Sequence, residues 1–382
     1  METILAVNVG SSSKKYALFG MDGARLLRAH FEKTEDGYAA SRDGGAPEPI
    51  EAAAYEDALA QVIRYAREQR DCSLRAIGLR VVAVGRAFSR HTRIDDAYRT
   101  LLARAASDDP DHTPLLLAEL ASLDRLLPGI PIVAASDSAF HKTMPETARR
   151  YALPDAVAEE FGIERVGYHG LSVASAARTL AALPEGMPAR AVICHLGSGV
   201  SITALRDGAS IETSMGFSPL SGVPMSTRVG DLDPEAVLRI AEERGVAKTR
   251  ALLYGESGLR ALSKRSGDMR DLLAAEKLDD RNARAAIDQF AYQVRLRIGA
   301  YAAALGGIDA LAFTGTMGIR AAAVRARILV ELPHLGIELD AGKNENAQPG
   351  DDIATAGSAV RIFILQTDEE EEIANAVKTI LA

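Results

Sequence analysis

Apolar and polar positions follow two periods along the chain. Ile4-Leu5-Ala6-Val7-Asn8-Val9 is a run of strand formers, broken by Gly10-Ser11-Ser12-Ser13 and resumed at Tyr16-Ala17-Leu18-Phe19. The pattern predicts a strand, a small-residue turn and a second strand, with a further turn at Met21-Asp22-Gly23. Residues 34 to 49 are polar and are expected to form a flexible surface connection. Tyr55, Leu59, Val62, Ile63 and Ala66 then fall at helical spacing. The stretch from Ile77 to Val84 is an apolar strand pattern enclosing Arg80. Pro131-Ile132-Val133-Ala134-Ala135 reads as a buried strand ending at Ser136-Asp137, and Ala191-Val192-Ile193-Cys194-His195-Leu196 as another, followed by Gly197-Ser198-Gly199. Ile287, Phe290, Val294, Ile298 and Tyr301 mark a long amphipathic helix. Leu311-Ala312-Phe313-Thr314 is a strand running into Gly315-Thr316-Met317-Gly318. Asp340 to Asp352 reads as a polar loop. Asp368 followed by Glu371 has the form of a capping box opening a last helix along Ile373, Val377 and Ile380.

One echo runs through this pattern. The segment around Gly10-Ser11 and the segment around Gly197-Ser198 lie 187 positions apart, about half of the 382-residue chain. Each is a strand, a Gly/Ser turn, a second strand and a turn bearing Gly (Asp22-Gly23, Asp207-Gly208). The echo predicts two related lobes; a chance match between two hairpins is the plainer alternative. The length agrees with two domains at roughly 100–200 residues each.

Composition narrows the function. Apolar residues make up 47% and charged residues 25%, the average for globular proteins, which excludes disorder, collagen and coiled coil as the dominant state. A net charge of −8 without a Lys/Arg block argues against a nucleic-acid partner. Cys72 and Cys194 form no CxxC pair, so neither a disulfide framework nor a structural zinc site is expected. No run reaches the ~18 apolar residues of a membrane span, and Met1-Glu2-Thr3 lacks the basic start of a secretory signal. A cytoplasmic enzyme is expected.

Several segments carry chemistry, each with a plainer rival. Asn8-Val9-Gly10-Ser11-Ser12-Ser13-Lys14-Lys15 offers close backbone approach, hydroxyls and ammonium groups, which suit phosphate oxygens; it is not a Walker A loop, and a simple hairpin turn is the rival. His195-Leu196-Gly197-Ser198-Gly199 is a second candidate phosphate turn. Gly315-Thr316-Met317-Gly318 joins a strand to a helix, an arrangement that binds anions or serves as an ordinary connection. Arg80 inside an apolar strand needs a ligand or a partner, and Asp137 is the natural ion-pair candidate. Arg228 lies in the Gly-, Pro- and Asp-dense loop from Pro224 to Pro234, and Gly167-Tyr168-His169-Gly170 frames a histidine with glycines.

In this order the segments resemble the acetate kinase family. The matches are Asn8-x-Gly10-Ser11-Ser12-Ser13-x-Lys15, Asp137-Ser138-Ala139-Phe140-His141-x-Thr143-Met144-Pro145, Tyr168-His169-Gly170-x-Ser172 and His195-Leu196-Gly197-x-Gly199. Thr213-Ser214-Met215-Gly216-Phe217-x-Pro219-Leu220, Thr227-Arg228-x-Gly230-Asp231-x-Asp233-Pro234, Asp268-Met269-Arg270-Asp271 and Thr367-Asp368-Glu369-Glu370 continue them. The resemblance covers nearly the whole chain. It implies an α/β fold of two duplicated ribonuclease H-like lobes of the acetate and sugar kinase/Hsp70/actin superfamily with a cleft between them. The lobes would span residues 1–141, joined by the C-terminal helix 371–382, and residues 142–370, the second carrying the phosphoryl-donor site.

It also implies reversible transfer of the ATP γ-phosphoryl group to acetate, giving acetyl phosphate, with Mg²⁺ and a homodimeric enzyme acting on small molecules. By resemblance, Arg80 and Arg228 hold the carboxylate and the developing charge, Asp137 orients the reacting groups, and His169 stabilises the transferring phosphoryl. Asn8 and Glu369 would sit near the metal. Val82, His112, Tyr168 and Pro219, with Arg80, would receive the acceptor. Lys15, His195, Gly197, Ser198, Gly199, Asp268, Met269, Arg270, Thr316, Met317 and Gly318 would meet the phosphates and nucleotide. The chemistry is consistent, because phosphoryl transfer is mainly positioning plus electrostatic clamping, and a carboxylate acceptor is already ionised at neutral pH.

The chain departs from the family in places. Ser198 replaces Asn, Thr316-Met317-Gly318-Ile319-Arg320 replaces Gly-Ile-Gly-Glu-Asn, Ala83-Val84 replaces His-Gly, and Asp111 stands where Leu lies beside the acetate methyl. Two alternatives therefore stay open from sequence: a pyrophosphate- or phosphate-dependent acetate kinase with a filled adenosine pocket, and a degenerate member acting as a binding or regulatory protein.

Overall fold

The computed structural model describes residues 1–10, 13–34, 36–68, 72–106 and 113–382. The chain divides into two compact units, Met1–Ala139 with Asp368–Ala382, and Phe140–Thr367. Each is an α/β body on its own sheet.

The first unit begins as its apolar pattern dictates. Strand β1 (Glu2–Val9) pairs antiparallel with β2 (Ser13–Gly20), which pairs with β3 (Arg25–Thr34). On its other side β1 pairs parallel with β6 (Ser73–Val81), which pairs parallel with β8 (Ile132–Ser136). The sheet is completed by β4 (Gly37–Arg42), β5 (Glu48–Ile50) and β7 (Thr92–Arg93), in the order β5-β4-β3-β2-β1-β6-β8-β7. Strands β4 and β5 correct the expectation of an unstructured connection between residues 34 and 49. Their polarity reflects an outer position in the sheet, and Tyr38 anchors them by stacking 4.7 Å from Tyr55.

Both faces of the central strands are covered, which explains their nearly continuous apolar sequence. Leu5, Val7, Ile77 and Leu79 join Leu59, Val62, Leu116 and Leu120 of the helices Ala58–Glu68 and Thr113–Leu126 in one core. The alternate residues meet the C-terminal helix Glu369–Leu381, whose Asp368 N-cap accepts from the Glu371 amide at 3.0 Å. Gly78 lets that helix close down, since a Cβ there would lie 2.5 Å from Ile373 Cγ2.

The second unit repeats the plan. Strand β9 (Arg190–Leu196) pairs antiparallel with β10 (Val200–Arg206), which pairs with β11 (Ala209–Thr213). On its other side β9 pairs parallel with β12 (Ala310–Thr314), then β13 (Arg361–Ile364) follows. The order β11-β10-β9-β12-β13 matches β3-β2-β1-β6-β8, so the sequence echo corresponds to one strand plan used twice. The helix Gly170–Ala181 packs Val173, Ala176 and Leu180 on Ile193, Ala312 and Phe363. The helix Arg281–Leu305 buries Ile287, Phe290, Val294, Ile298 and Tyr301, as their spacing predicts; Asp280 caps its start and Gly306 (φ 74°) ends it. Residues 340 to 352 are more ordered than their polarity suggests, containing the short helix Ala341–Glu345 with a buried Asn344. Among the described residues no helix is long and apolar enough to cross a membrane.

Candidate active site

In the first unit, parallel pairing of β6 with β8 sets Arg80 opposite Ala135, within reach of Asp137 just beyond the end of β8. Arg80 donates to both Asp137 oxygens, at 3.2 Å from Nε and 3.1 Å from Nη2, and Asp137 is fully buried. Arg80 Nη1 donates to Asn8 Oδ1 at 3.2 Å and lies 3.7 Å from Glu369 Oε2. Asn8 Nδ2 donates to Glu369 at 2.9 Å and to Glu370 at 2.8 Å. Burial opposes the charge on Arg80, but Asp137, then Glu369, outweigh it and raise its pKa. The ion pair and the ligand reading of Arg80 are thus compatible. Strand alternation separates the two lysines of the first turn. Lys15 lies opposite Asn8, whereas Lys14 donates to Tyr55 O at 3.2 Å and sits 4.8 Å from that ring. Val82 follows β6 and is half-buried.

Glu369 is an oxygen donor whose orientation is set by Asn8 and whose side chain is 16% exposed. That suits Mg²⁺, which takes one or two protein carboxylates plus substrate phosphate oxygens and waters. The Asn8 carboxamide oxygen accepts from Arg80, while its Nδ2 holds Glu369.

In the second unit, Gly167 and His169 both adopt left-handed backbone, φ 73° and 60°. Glycine is required at 167, where a Cβ would lie 2.6 Å from His141 and Thr213. A non-glycine residue held at positive φ costs on the order of 1–3 kcal/mol and marks an over-determined position. His169 spends it to present its ring at the start of the Gly170–Ala181 helix. Its Nδ1 meets Ser201 Oγ at 3.0 Å, and its ring lies 4.3 Å from that of His195 at an angle of 35°. His195 Nδ1 meets Ser172 Oγ at 2.8 Å.

Both imidazoles adjoin the Gly197–Gly199 turn. A Cβ at Gly199 would lie 3.0 Å from His169 Nε2 and 3.7 Å from Arg228 Nη1. Arg228 is positioned by its Nη1 bond to Pro219 O at 3.1 Å, and its loop is tied to the turn by Ser226 N donating to Ser198 O at 3.2 Å. Tyr168 is buried, its hydroxyl donating to Phe217 O at 2.9 Å. His169, His195, Arg228, Pro219 and the Gly197–Gly199 turn therefore form one basic cluster, able to receive a phosphoryl group on oriented N–H donors.

The remaining candidates fall in order. Asp268 caps the helix Met269–Glu276; its pKa is lowered, chiefly by the Arg270 side chain folded back onto it at 2.6–3.2 Å. A Cβ at Gly267 would lie 2.6 Å from Ser226 O, which places this segment against the Arg228 loop. Thr316, Met317 and Gly318 lie in the helix Gly315–Arg320, with Thr316 exposed, Met317 half-buried and Gly318 buried. His112, with Pro110, Asp111, Ser11 and Ser12, lies outside the described residues.

The hydroxyls of Ser172 and Thr367, which stand in the sequence motifs without an assigned role, and of Ser201 and Thr314 support the histidines. Ser172 donates to Thr367 at 3.2 Å and Thr314 donates to Thr367 at 3.3 Å, so a hydroxyl chain joins His195 to the end of β12. Ser201 was discoverable from strand register, because it stands opposite His195. Ser172, three residues after His169, shares its helical face.

Comparisons with known proteins identify a family for the chain. The family model described as the acetokinase family matches residues 3–375. An acetate kinase of Micrococcus luteus is 38% identical over 97% of this chain and 97% of its own. An acetate kinase of Methanosarcina mazei is 34% identical over 99% of this chain and 96% of its own. A crystal structure of a propionate kinase from Francisella tularensis covers both chains fully, with a TM-score of 0.87 at 31% identity.

Proposed function

The chain belongs to the acetokinase family, and from that premise we propose how its residues transfer a phosphoryl group between ATP and acetate. Full-length likeness to acetate and propionate kinases makes the chain a kinase of short-chain carboxylates. It favours the ATP-dependent reaction over the pyrophosphate and binding-protein alternatives.

The observation that carries the assignment of roles is the cluster of His169, His195 and Arg228 around the Gly197–Gly199 turn. Arg228 gives fixed positive charge to the equatorial oxygens of the transferring group, and His169 a ring N–H from a ring steadied by Ser201. The Gly197–Gly199 turn, closed by the Gly197 amide donating to Gly199 O at 3.0 Å, and His195 face the donor phosphates. Thr316–Gly318 and Asp268–Arg270 border the nucleotide. In the other unit, Arg80 orients the acceptor carboxylate and Asp137 holds the Arg80 fork in place with two hydrogen bonds. The acceptor oxygen attacks as an anion, so no side chain need remove a proton. On the family resemblance, Val82 of the first unit is one residue assigned to the acceptor's carbon end; Tyr168 and Pro219 of the second unit carry the same assignment, each on its own unit. Glu369, steered by Asn8, would hold Mg²⁺, which neutralises charge on the donor phosphates. A cytoplasmic homodimer completes the reading, on the family resemblance; a monomer in light scattering removes the dimer from it.

The test is Arg228→Ala. Loss of one transition-state donor should lower kcat about 10²–10³-fold while the melting temperature holds. Near-normal turnover would remove Arg228 from the mechanism.

A further inference from the structure

Arg325 is a buried cation outside both clusters. It stands in the helix Ala322–Leu329 with 1% of its surface exposed. Its Nε donates to Asn344 Oδ1 at 2.8 Å and its Nη2 to Asn344 O at 2.8 Å. Its Nη1 donates to Gly318 O at 2.9 Å and Ile319 O at 2.7 Å. Among the described residues no carboxylate lies within ion-pair distance of it, and burial pulls its pKa down. A guanidinium in such a place is a poor way to gain stability, since an apolar side chain of similar size avoids its desolvation.

What the guanidinium does achieve is geometric. Gly318 and Ile319 lie in the last turn of the six-residue helix Gly315–Arg320. At the other end of that helix, Gly315 takes φ 78° and presses on β9, where a Cβ would lie 2.6 Å from Leu196 O. The helix is thus held from the front by Leu196, the residue that opens into the Gly197–Gly199 turn, and from behind by Arg325. Asn344 is itself anchored, its Nδ2 donating to Ala322 O at 3.0 Å. An Asp at 344 would neutralise Arg325 but forfeit that donor. A planar fork reaches four carbonyl-type oxygens in two directions at once, which an ammonium cannot.

We propose that Arg325, clamped by Asn344, is a positioning residue that fixes the Thr316–Gly318 segment against the Gly197–Gly199 turn and thereby sets nucleotide affinity. The proposal rests on the reading of Thr316–Gly318 as a nucleotide-binding segment.

The test measures KM for ADP, KM for acetyl phosphate, kcat and melting temperature in Arg325→Met, Arg325→Lys and Asn344→Ala, with Thr316→Tyr as a direct probe of the segment. Arg325→Met should raise KM for ADP at least tenfold while KM for acetyl phosphate stays within twofold. Arg325→Lys should recover part of the loss, and Asn344→Ala should shift the same constant in the same direction. If Arg325→Met fails to fold, the Lys and Asn344 variants carry the test. A fall in melting temperature without a selective change in KM for ADP, or equal change in both KM values, overturns the proposal. If Thr316→Tyr raises KM for ADP and the Arg325 variants do not, the positioning role fails and the segment reading stands. If no variant raises it, both fail. If only the Arg325 variants raise it, Arg325 acts elsewhere and the proposal is again overturned.

Discussion

Gly199→Ala adds one carbon to the basic cluster without asking the backbone for a conformation that alanine refuses, since Gly199 is not among the residues at positive φ. The new Cβ would lie 3.0 Å from His169 Nε2, 3.1 Å from its Cε1 and 3.7 Å from Arg228 Nη1. Comfortable contact between such atoms is about 3.5–4.0 Å, so the ring must yield by about half an ångström. The His169 ring is bonded to Ser201 and packed on His195, so making room for the carbon should cost roughly 1–3 kcal/mol of overpacking. Catalysis is less forgiving, because a 1 Å misplacement costs about 10²-fold. Half that displacement corresponds to about tenfold in kcat, or about 1.4 kcal/mol of barrier. Steady-state kinetics on the purified variant, beside its melting curve, reads both quantities. A kcat within twofold of the parent at unchanged melting temperature would refute the placement of the transferring group beside His169 and Gly199.

Other expectations follow from the same geometry. Arg80→Ala removes the fork from a fully buried Asp137 and should cost about 3–5 kcal/mol of stability in urea titration, whereas Arg228→Ala should cost about 1 kcal/mol or less; equal losses would contradict the contrast. Glu119, 6% exposed beneath the first hairpin, accepts from Tyr16 Oη at 2.8 Å, and burial raises its pKa against the opposing pull of that bond and of Lys14. The folded chain therefore binds the Glu119 proton more tightly than the unfolded chain. That contribution to stability is full below the unfolded value of about 4.3 and is lost as pH rises through the folded pKa. Glu119→Gln keeps the acceptor for Tyr16, so it should melt higher than the parent at pH 7 and converge with it at low pH. A difference that is independent of pH would contradict this.

Local chemistry was the legible part of the sequence. The two Gly/Ser hairpins, the helix through Ile287 and Tyr301 and the Asp368 cap each rest on neighbours a few residues apart, and each formed as its pattern predicts. Arg80 and Asp137 were suspect from their setting alone, since an arginine among Val and Ile requires company. What escaped notice depends on pairing partners far along the chain. Residues 37–42 and 48–50 read as a loop because outer strands need few apolar residues, and only Tyr55 and β3 reveal them. Lys14 and Lys15 looked like a pair until strand alternation sent them apart. Arg325 sits in an ordinary helical pattern and Asn344 in a polar stretch, so neither could show that one buries the other.

The most direct measurement of the central claim is ³¹P NMR of the purified chain with acetate, ATP and Mg²⁺, and separately with acetyl phosphate, ADP and Mg²⁺. The account predicts that acetyl phosphate and ADP appear in the first and ATP and acetate in the second, both slowed about 10²–10³-fold in Arg228→Ala. Spectra in which neither direction turns over, or in which acetyl phosphate is consumed only when orthophosphate replaces ADP and yields pyrophosphate, would contradict it.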